Sequence, residues 1–394
     1  MSPLATSYPR RRTPPRKLAI NRLREHPEPS EEQIREFLGR HQVPIVEGSK
    51  CTFLHHGEAD EVHVRHRIVN QPQRVPMRRI GHSSLWWTTI ELPEGSRVEY
   101  QIEVRQGEHS WTHNDPLNPH VAHSPVGSSS VCQAAGYRTP DYVHHDPDAR
   151  QGSIHDLELP SRALRRHTVS RVYLPARFRR SSSYPLLIVH DGDDYLGYAA
   201  MGTVLDNLIH RLDMADTIVV FSNPGDRLKE YPNHAGHARH VVHELLPHLQ
   251  EHYPLVDRPA ARALMGASFG AVASLSTAFR NQGVFGGLVL QSGSFVFTDI
   301  GSDHDAGEVF DPVVTFMNRY RAAPRAVTSR MFVSCGVYEP LIVYNRSMVP
   351  VFESVGMTVR YTEARDGHSW ENWRDQLGDG LSWIFPGPQK YVYE

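Results

Sequence analysis

Residues 263–275 read Ala-Leu-Met-Gly-Ala-Ser-Phe-Gly-Ala-Val-Ala-Ser-Leu. Within them Gly266, Ala267, Ser268, Phe269 and Gly270 spell GxSxG. Ala263, Leu264 and Met265 read as a buried strand, and the small residues from Ala271 to Leu275 read as a helix. A strand, a sharp turn and a helix in this order push a serine hydroxyl out of a tight elbow, while the flanking glycines relieve the crowding around it. Outside that setting GxSxG is an ordinary turn, because Gly and Ser are common turn residues. Inside it, Ser268 is the candidate nucleophile.

On both sides of the elbow, β-branched and apolar runs alternate with helical stretches. Strands are predicted at 168–174, 186–190, 217–222, 262–266, 287–291, 331–335 and 358–361, with helical periodicity at 237–252 and 269–280. Strands alternating with helices imply a mostly parallel sheet covered on both faces, an α/β unit spanning 153–387. The whole chain, at 394 residues, is too long for one ordinary domain. From 46 to 137 the pattern is different: short alternating runs at 52–54, 61–67, 85–92 and 97–104 are separated by Gly, Pro and Asp turns, which predicts a small β-sandwich. Trp86, Trp87, Tyr100 and Trp111 are its candidate core or rim aromatics, and the loop 115–119, with Pro116 and Pro119, closes it. Ser30 and Gln33 form a capping box ahead of Ile34, Phe37 and Leu38, predicting a short helix to about His41. The expected boundaries are a flexible basic tail at 1–28, helix and sandwich at 29–140, a linker at 141–152 and the α/β unit at 153–387.

Composition removes several function classes. Hydrophobic residues make up 39%, charged residues 22%, and the net charge is -2, so neither disorder nor a nucleic-acid partner is suggested. Concentrated positive charge occurs only at Arg10, Arg11, Arg12, Arg16 and Lys17, set among prolines. No signal-peptide core and no bilayer-length apolar run occurs, so a cytoplasmic location without a membrane partner is expected. Cys51, Cys132 and Cys335 are far apart and lack CxxC spacing, which supports neither a disulfide framework nor a zinc knuckle. His234, His237, His240 and His243, with Glu244 beside them, are a conceivable metal set, but a three-residue spacing drifts around a helix and reads more simply as a polar face. Asp191, Asp193 and Asp194 lack the glutamate of a calcium loop. No metal or other cofactor is called for.

A serine hydroxyl needs a base, and after a GxSxG elbow the chain order is serine, acid, histidine. His368 follows the last predicted strand and precedes a helix near Trp370, so it is the candidate base. Glu339, shortly after the strand at 331–335, is the favoured acid, with Asp366 as its rival. The oxyanion needs two donors: the backbone N–H of Phe269, and one from Gly192 or Asp193 in the loop after 186–190. Arg227 either receives an anionic substrate or pairs with Glu230. Trp370, Trp373 and Tyr195 border the expected site and either stack on substrate or pack in the core.

With these residues in place, the chain resembles the enterochelin (ferric enterobactin) esterase group of the esterase D-like α/β-hydrolases. The resemblance rests on His190-Asp191-Gly192, on the GASFG elbow, on Tyr338-Glu339-Pro340, and on DGHSWENWR from Asp366 to Arg374. It implies an immunoglobulin-like (E-set) β-sandwich followed by an α/β-hydrolase domain, with Ser268, Glu339 and His368 as triad and no metal cofactor. Members of the group cleave ester bonds in catecholate siderophores, and neighbouring families deacylate feruloyl or acetyl sugars. The expectation is a serine carboxylic ester hydrolase working through an acyl-enzyme on a small-molecule ester. Catecholate siderophores lead the substrate classes, and feruloyl sugars, acetyl sugars or general esters are the alternatives. A different class, a non-catalytic carbohydrate- or siderophore-binding protein, stays open, as does a homo-oligomer.

Overall fold

The computed structural model describes residues 17–301 and 303–388. Its larger unit is an eight-stranded sheet: β1 (Ser153–Ser161), β2 (Arg166–Leu174), β3 (Leu186–His190), β4 (Ile218–Ser222), β5 (Arg262–Ala267), β6 (Gly287–Gln291), β7 (Arg330–Gly336) and β8 (Thr358–Ala364). In space they run β1-β2-β4-β3-β5-β6-β7-β8. The pairs β1–β2 and β2–β4 are antiparallel and all others parallel.

Every residue of β3, β4, β5 and β6 is buried, because helices cover both faces of the parallel core. Side chains alternate between those faces. Ile188, Leu264 and Leu288 pack with Val272 and Leu275 of the helix Phe269–Arg280 on one side. Leu187, Ala263 and Val289 pack with Leu205 and Leu381 on the other. β1 was not among the expected strands. It is an edge strand whose first four residues are all exposed, and the alternation of Leu157 and Leu159 in its second half is too short to mark it.

The amino-terminal unit holds two antiparallel sheets. One runs Ile45–Glu47, Lys50–His56, Leu85–Glu91, Arg78–Arg79. The other runs Arg74–Pro76, Glu61–His66, Arg97–Gln106, Gly127–Gln133, Val121–Ser124, with His109–His113 added along Arg97–Gln106. Phe53 and Cys51 of the first meet Val64, Tyr100, Ile102 and Cys132 of the second in one apolar cluster. Trp86 lies in that core, whereas Trp111 is 44% exposed. Asp115 accepts the Tyr100 hydroxyl at 2.6 Å, which pins the loop 115–119 to the sheet. All three cysteines are buried and free.

The helix Glu31–Arg40 begins with a full capping box between Ser30 and Gln33. Ahead of it, Ala19–Leu23 is also helical and buries Ile20 and Leu23 against Leu54 and Leu85. The stretch read as tail to residue 28 is therefore packed from that helix onward, because its two apolar side chains find the outer face of the first sheet. Arg10, Arg11, Arg12 and Arg16 lie outside the described residues. At 141–152 the chain is strapped to the second unit: Asn207 Nδ2 donates to the carbonyls of Tyr142 and His144, and the Tyr142 hydroxyl donates to Asp375 O. Among the described residues no helix is long and apolar enough to cross a membrane.

Candidate active site

β5 ends at Ala267 and the next helix starts at Phe269, leaving Ser268 alone at the turn with φ 58° and ψ −121°. An L side chain rarely adopts this conformation, and holding it there stores strain. Glycines permit the turn: a Cβ on Gly266 would stand 2.4 Å from the carbonyl carbon of Gly270. The backbone is clamped from β6, since Ser268 N donates to Gln291 O at 2.9 Å and Ser294 N donates to Ser268 O at 3.2 Å. Ser268 Oγ lies 3.1 Å from Ser294 Oγ.

Glu339 stands three residues beyond the end of β7 and is 2% exposed. Its Oε1 accepts from Gly336 N at 2.8 Å and from Ser292 Oγ at 2.6 Å, and its Oε2 lies 2.5 Å from His368 Nδ1. Burial alone would push this carboxyl up, but His368, Ser292 and the Gly336 N–H outweigh it and hold the group below its ordinary value. An ionised Glu339 accepts the Nδ1–H hydrogen bond, and the tautomer this fixes leaves His368 Nε2 as a bare acceptor. The exposed imidazole rests edge-on against Trp373, with centroids 4.9 Å apart, and Trp373 Nε1 donates to Ser292 Oγ at 2.9 Å. Among the described residues Ser268 Oγ and His368 share no hydrogen bond. Such contacts are commonly loose in a ligand-free site and close when substrate binds.

Asp366 turns elsewhere. It accepts from Arg97 Nη1 at 3.2 Å and from Gly367 N at 2.6 Å, and among the described residues it makes no hydrogen bond to the His368 ring. Of the two rival acids, only Glu339 therefore reaches the imidazole.

The helix Gly192–Tyr198 begins two residues beyond the end of β3. Asp193 N is already engaged, donating to Asn223 Oδ1 at 2.9 Å, which removes it as an oxyanion donor. The N–H groups of Gly192 and Phe269 have no acceptor among the described residues. Gly192 sits against β4 so closely that a Cβ would come within 2.4 Å of the Phe221 backbone.

One further expectation needs correcting, and two open alternatives close. Arg227 neither stands free for substrate nor pairs with Glu230. Its fork grips Asp191 through Nε–Oδ1 and Nη2–Oδ2, both 2.8 Å, and reaches Ala267 O at 3.4 Å. Glu230 takes Arg166 instead, at 2.9 and 2.8 Å. Tyr195 is fully buried, and its hydroxyl donates to Gln291 Oε1 at 2.8 Å, so it supports the floor beneath the elbow. Trp370 is 8% exposed and packs edge-on against Tyr195 and Trp373, which makes it a core residue.

The histidine run spreads around its helix rather than forming one polar face, because steps of three fall short of a full turn. His234 and His243 are exposed, while His237 and His240 are buried. His190 Nδ1 lies 3.0 Å from Met265 O, which can only accept, so Nδ1 carries the proton and Nε2 receives His237 Nε2–H at 2.9 Å. Burial pushes His190 down to about 4 and His237 well below its ordinary value. No group of three or more His, Cys, Asp or Glu side chains among the described residues is arranged to hold a metal.

Sequence reasoning missed Ser292 and Ser294. They lie in Gln291-Ser292-Gly293-Ser294 at the carboxyl end of β6, the strand beside the nucleophile strand, and that adjacency was the available signal.

The sheet and its nucleophile-type elbow form an α/β-hydrolase fold, and comparison with known proteins gives the family. Residues 161–384 match the family described as Putative esterase, more than half of the chain, and the protein belongs to that family. Within it the chain is similar to iron(III) enterobactin esterases. It is 27% identical over 151 residues to the uncharacterized protein YjcH of Bacillus subtilis, covering 36% of this chain and 62% of that one. It is 25% identical over 287 residues to the iron(III) enterobactin esterase of Dickeya dadantii, covering 69% and 65%. The chain thus spans less than two thirds of either of these relatives. It is 26% identical over 341 residues to the iron(III) enterobactin esterase of Escherichia coli, covering 80% and 82%. Among solved structures, an enterobactin esterase from Shigella flexneri superposes with TM-score 0.69 at 20% identity, covering 85% of this chain and 92% of that one. A ferulic acid esterase from Anaeromyces mucronatus superposes with TM-score 0.52 at 18% identity, covering 63% and 96%. At these identities the solved structures speak for the fold.

Proposed function

We propose that the protein hydrolyses esters through a covalent acyl-enzyme on Ser268, with catecholate siderophore esters of the enterobactin type as substrates. Two observations carry the mechanism together: the Glu339–His368 pair, and a serine held at a strained elbow at the carboxyl end of the same sheet. His368 Nε2 takes the Ser268 proton as Oγ attacks the ester carbonyl. The oxyanion is received by the N–H groups of Phe269 and Gly192. His368 returns its proton to the departing alcohol, then deprotonates a water that attacks the acyl carbon, releasing the acid and restoring the serine.

The siderophore class is supported by relatives that carry that activity in their names and match both units of this chain. The ferulic acid esterase likeness covers a smaller share, so feruloyl or acetyl sugars are the second reading. On the first reading the amino-terminal sheets form an immunoglobulin-like (E-set) domain, and the enzyme works in the cytoplasm.

The test is hydrolysis by wild type and Ser268→Ala of simple p-nitrophenyl esters, feruloyl and acetyl sugars, and ferric and iron-free enterobactin. A serine-dependent preference for the catecholate lactone is expected. Preference for a sugar ester overturns the substrate class, and retained hydrolysis in folded Ser268→Ala overturns the mechanism.

A further inference from the structure

His368 is exposed, and among the described residues its ring has a hydrogen bond to Glu339 and an edge-on contact with Trp373, so its position depends on the loop that carries it. That loop is held by a residue of the other unit. Arg97, at the start of the ten-residue strand Arg97–Gln106, has a side chain only 3% exposed. Its Nη1 donates to both carboxylate oxygens of Asp366 and to Ser369 Oγ, each at 3.2 Å, and its Nη2 pairs with Glu371 at 3.0 Å. Glu99, on the same strand, shares the guanidinium at 3.3 Å. Arg97 N also donates to Arg365 O at 2.9 Å. One guanidinium thereby grips residues on both sides of His368, at two positions before it and at one and three after it.

The neighbouring residue does the same for the acid. Ser96 Oγ lies 2.5 Å from the hydroxyl of Tyr338, the residue directly before Glu339, and Val69 N donates to Tyr338 O at 2.8 Å. Tyr338 N donates to Asp366 O at 3.1 Å, tying the two loops together. A buried arginine is tolerated only where carboxylates and further hydrogen bonds surround it, and a planar five-donor fork can hold three loop groups at once where a point charge cannot. Surface attachment of the two units would need none of this.

We propose that Ser96 and Arg97 make the amino-terminal unit a positioning element of the catalytic machinery, with Arg97 setting the placement of His368 and the Ser96–Tyr338 pair that of Glu339. This rests on the reading of Ser268, Glu339 and His368 given above. Neither residue touches substrate or a reacting atom, so their effect belongs to kcat rather than to KM. A displacement of about 1 Å in a catalytic group costs on the order of a hundredfold in rate.

The experiment compares full-length wild type, Arg97→Met, Arg97→Lys and Ser268→Ala on a p-nitrophenyl ester, with thermal melts to confirm folding and a pH–rate profile for each active variant. Arg97→Met is expected to lose roughly ten- to a hundredfold in kcat with KM little changed, to shift the acidic limb of the profile that reports His368, and to label more slowly with a fluorophosphonate. Arg97→Lys should recover part of that loss. Wild-type kcat and an unmoved pH profile in folded Arg97→Met overturn the proposal, as does a rise in KM with kcat intact, which would make Arg97 part of a substrate wall. Should Arg97→Met fail to fold, Tyr338→Phe and Ser96→Ala, which remove one hydroxyl each, decide it through the same split of kcat against KM. Ser268→Ala separates the two readings: its inactivity beside a wild-type Arg97→Met rejects the positioning role alone, whereas its activity rejects both.

Discussion

Glu339 Oε2 and His368 Nδ1 stand 2.5 Å apart although 29 residues and a whole helix–strand unit separate them in the chain. β7 and β8 are adjacent parallel strands, so the loops leaving their carboxyl ends meet above the sheet. Both loops also lean on the amino-terminal unit.

This pairing separates the two acids by experiment. Glu339→Gln keeps the shape but removes the charge that fixes the imidazole tautomer, so kcat should fall by about three to four orders of magnitude. Asp366→Asn still offers an oxygen to Arg97 and should lose less than about tenfold. Steady-state rates of the two purified variants check this, and a larger loss in Asp366→Asn than in Glu339→Gln would exchange their roles.

Buried histidines make the fold sensitive to mild acid. His237 is buried and held well below its ordinary value, so its native state stays neutral while the unfolded chain takes up a proton below about pH 6.5. Stability is therefore full well above that pH and falls as pH drops through it. Asp366 works in the opposite sense. Burial, against the pull of Arg97, pushes it up to about 7, so its native state gains a proton as pH falls. The absolute slope thus mixes the two, and the clean measurement is the difference between wild type and His237→Gln in urea melts. The variant should lose less stability toward pH 5, and parallel curves would show that His237 is protonated in the native state.

Gly192 tests the floor of the site. A methyl group there would press into the Phe221 backbone. Gly192→Ala should lower stability by about 1–3 kcal/mol and reduce kcat as the helix start moves away from Ser268. Thermal melts with kinetics check both, and a variant with wild-type stability and rate would remove Gly192 from the oxyanion site.

Ser268 was legible because its neighbours announce the local backbone: an apolar strand, two glycines and a small-residue helix leave one conformation for the turn. His368 and Glu339 followed from chain order, since loops at successive strand ends converge on the elbow. Arg97 was invisible, because nothing near it in sequence reveals that a strand of one unit begins against a loop of the other, 269 residues away. Arg227 was misjudged for a similar reason: its partner Asp191 lies 36 residues upstream, at a left-handed position that no local pattern marks. Tyr195 and Trp370 look alike in sequence whether they face a ligand or the core, and packing against Gln291 and Trp373 decided for the core.

The elbow carries a consequence for how such a protein can evolve. Ser268 keeps φ at 58°, a conformation that glycine would occupy without strain, at a cost to folding of roughly 1–3 kcal/mol. On the mechanism proposed above, Ser268→Gly would relax the backbone and abolish the nucleophile in one step. Selection for heat resistance alone therefore drives this chain toward a dead enzyme, and serine at that turn persists only while its chemistry is being used.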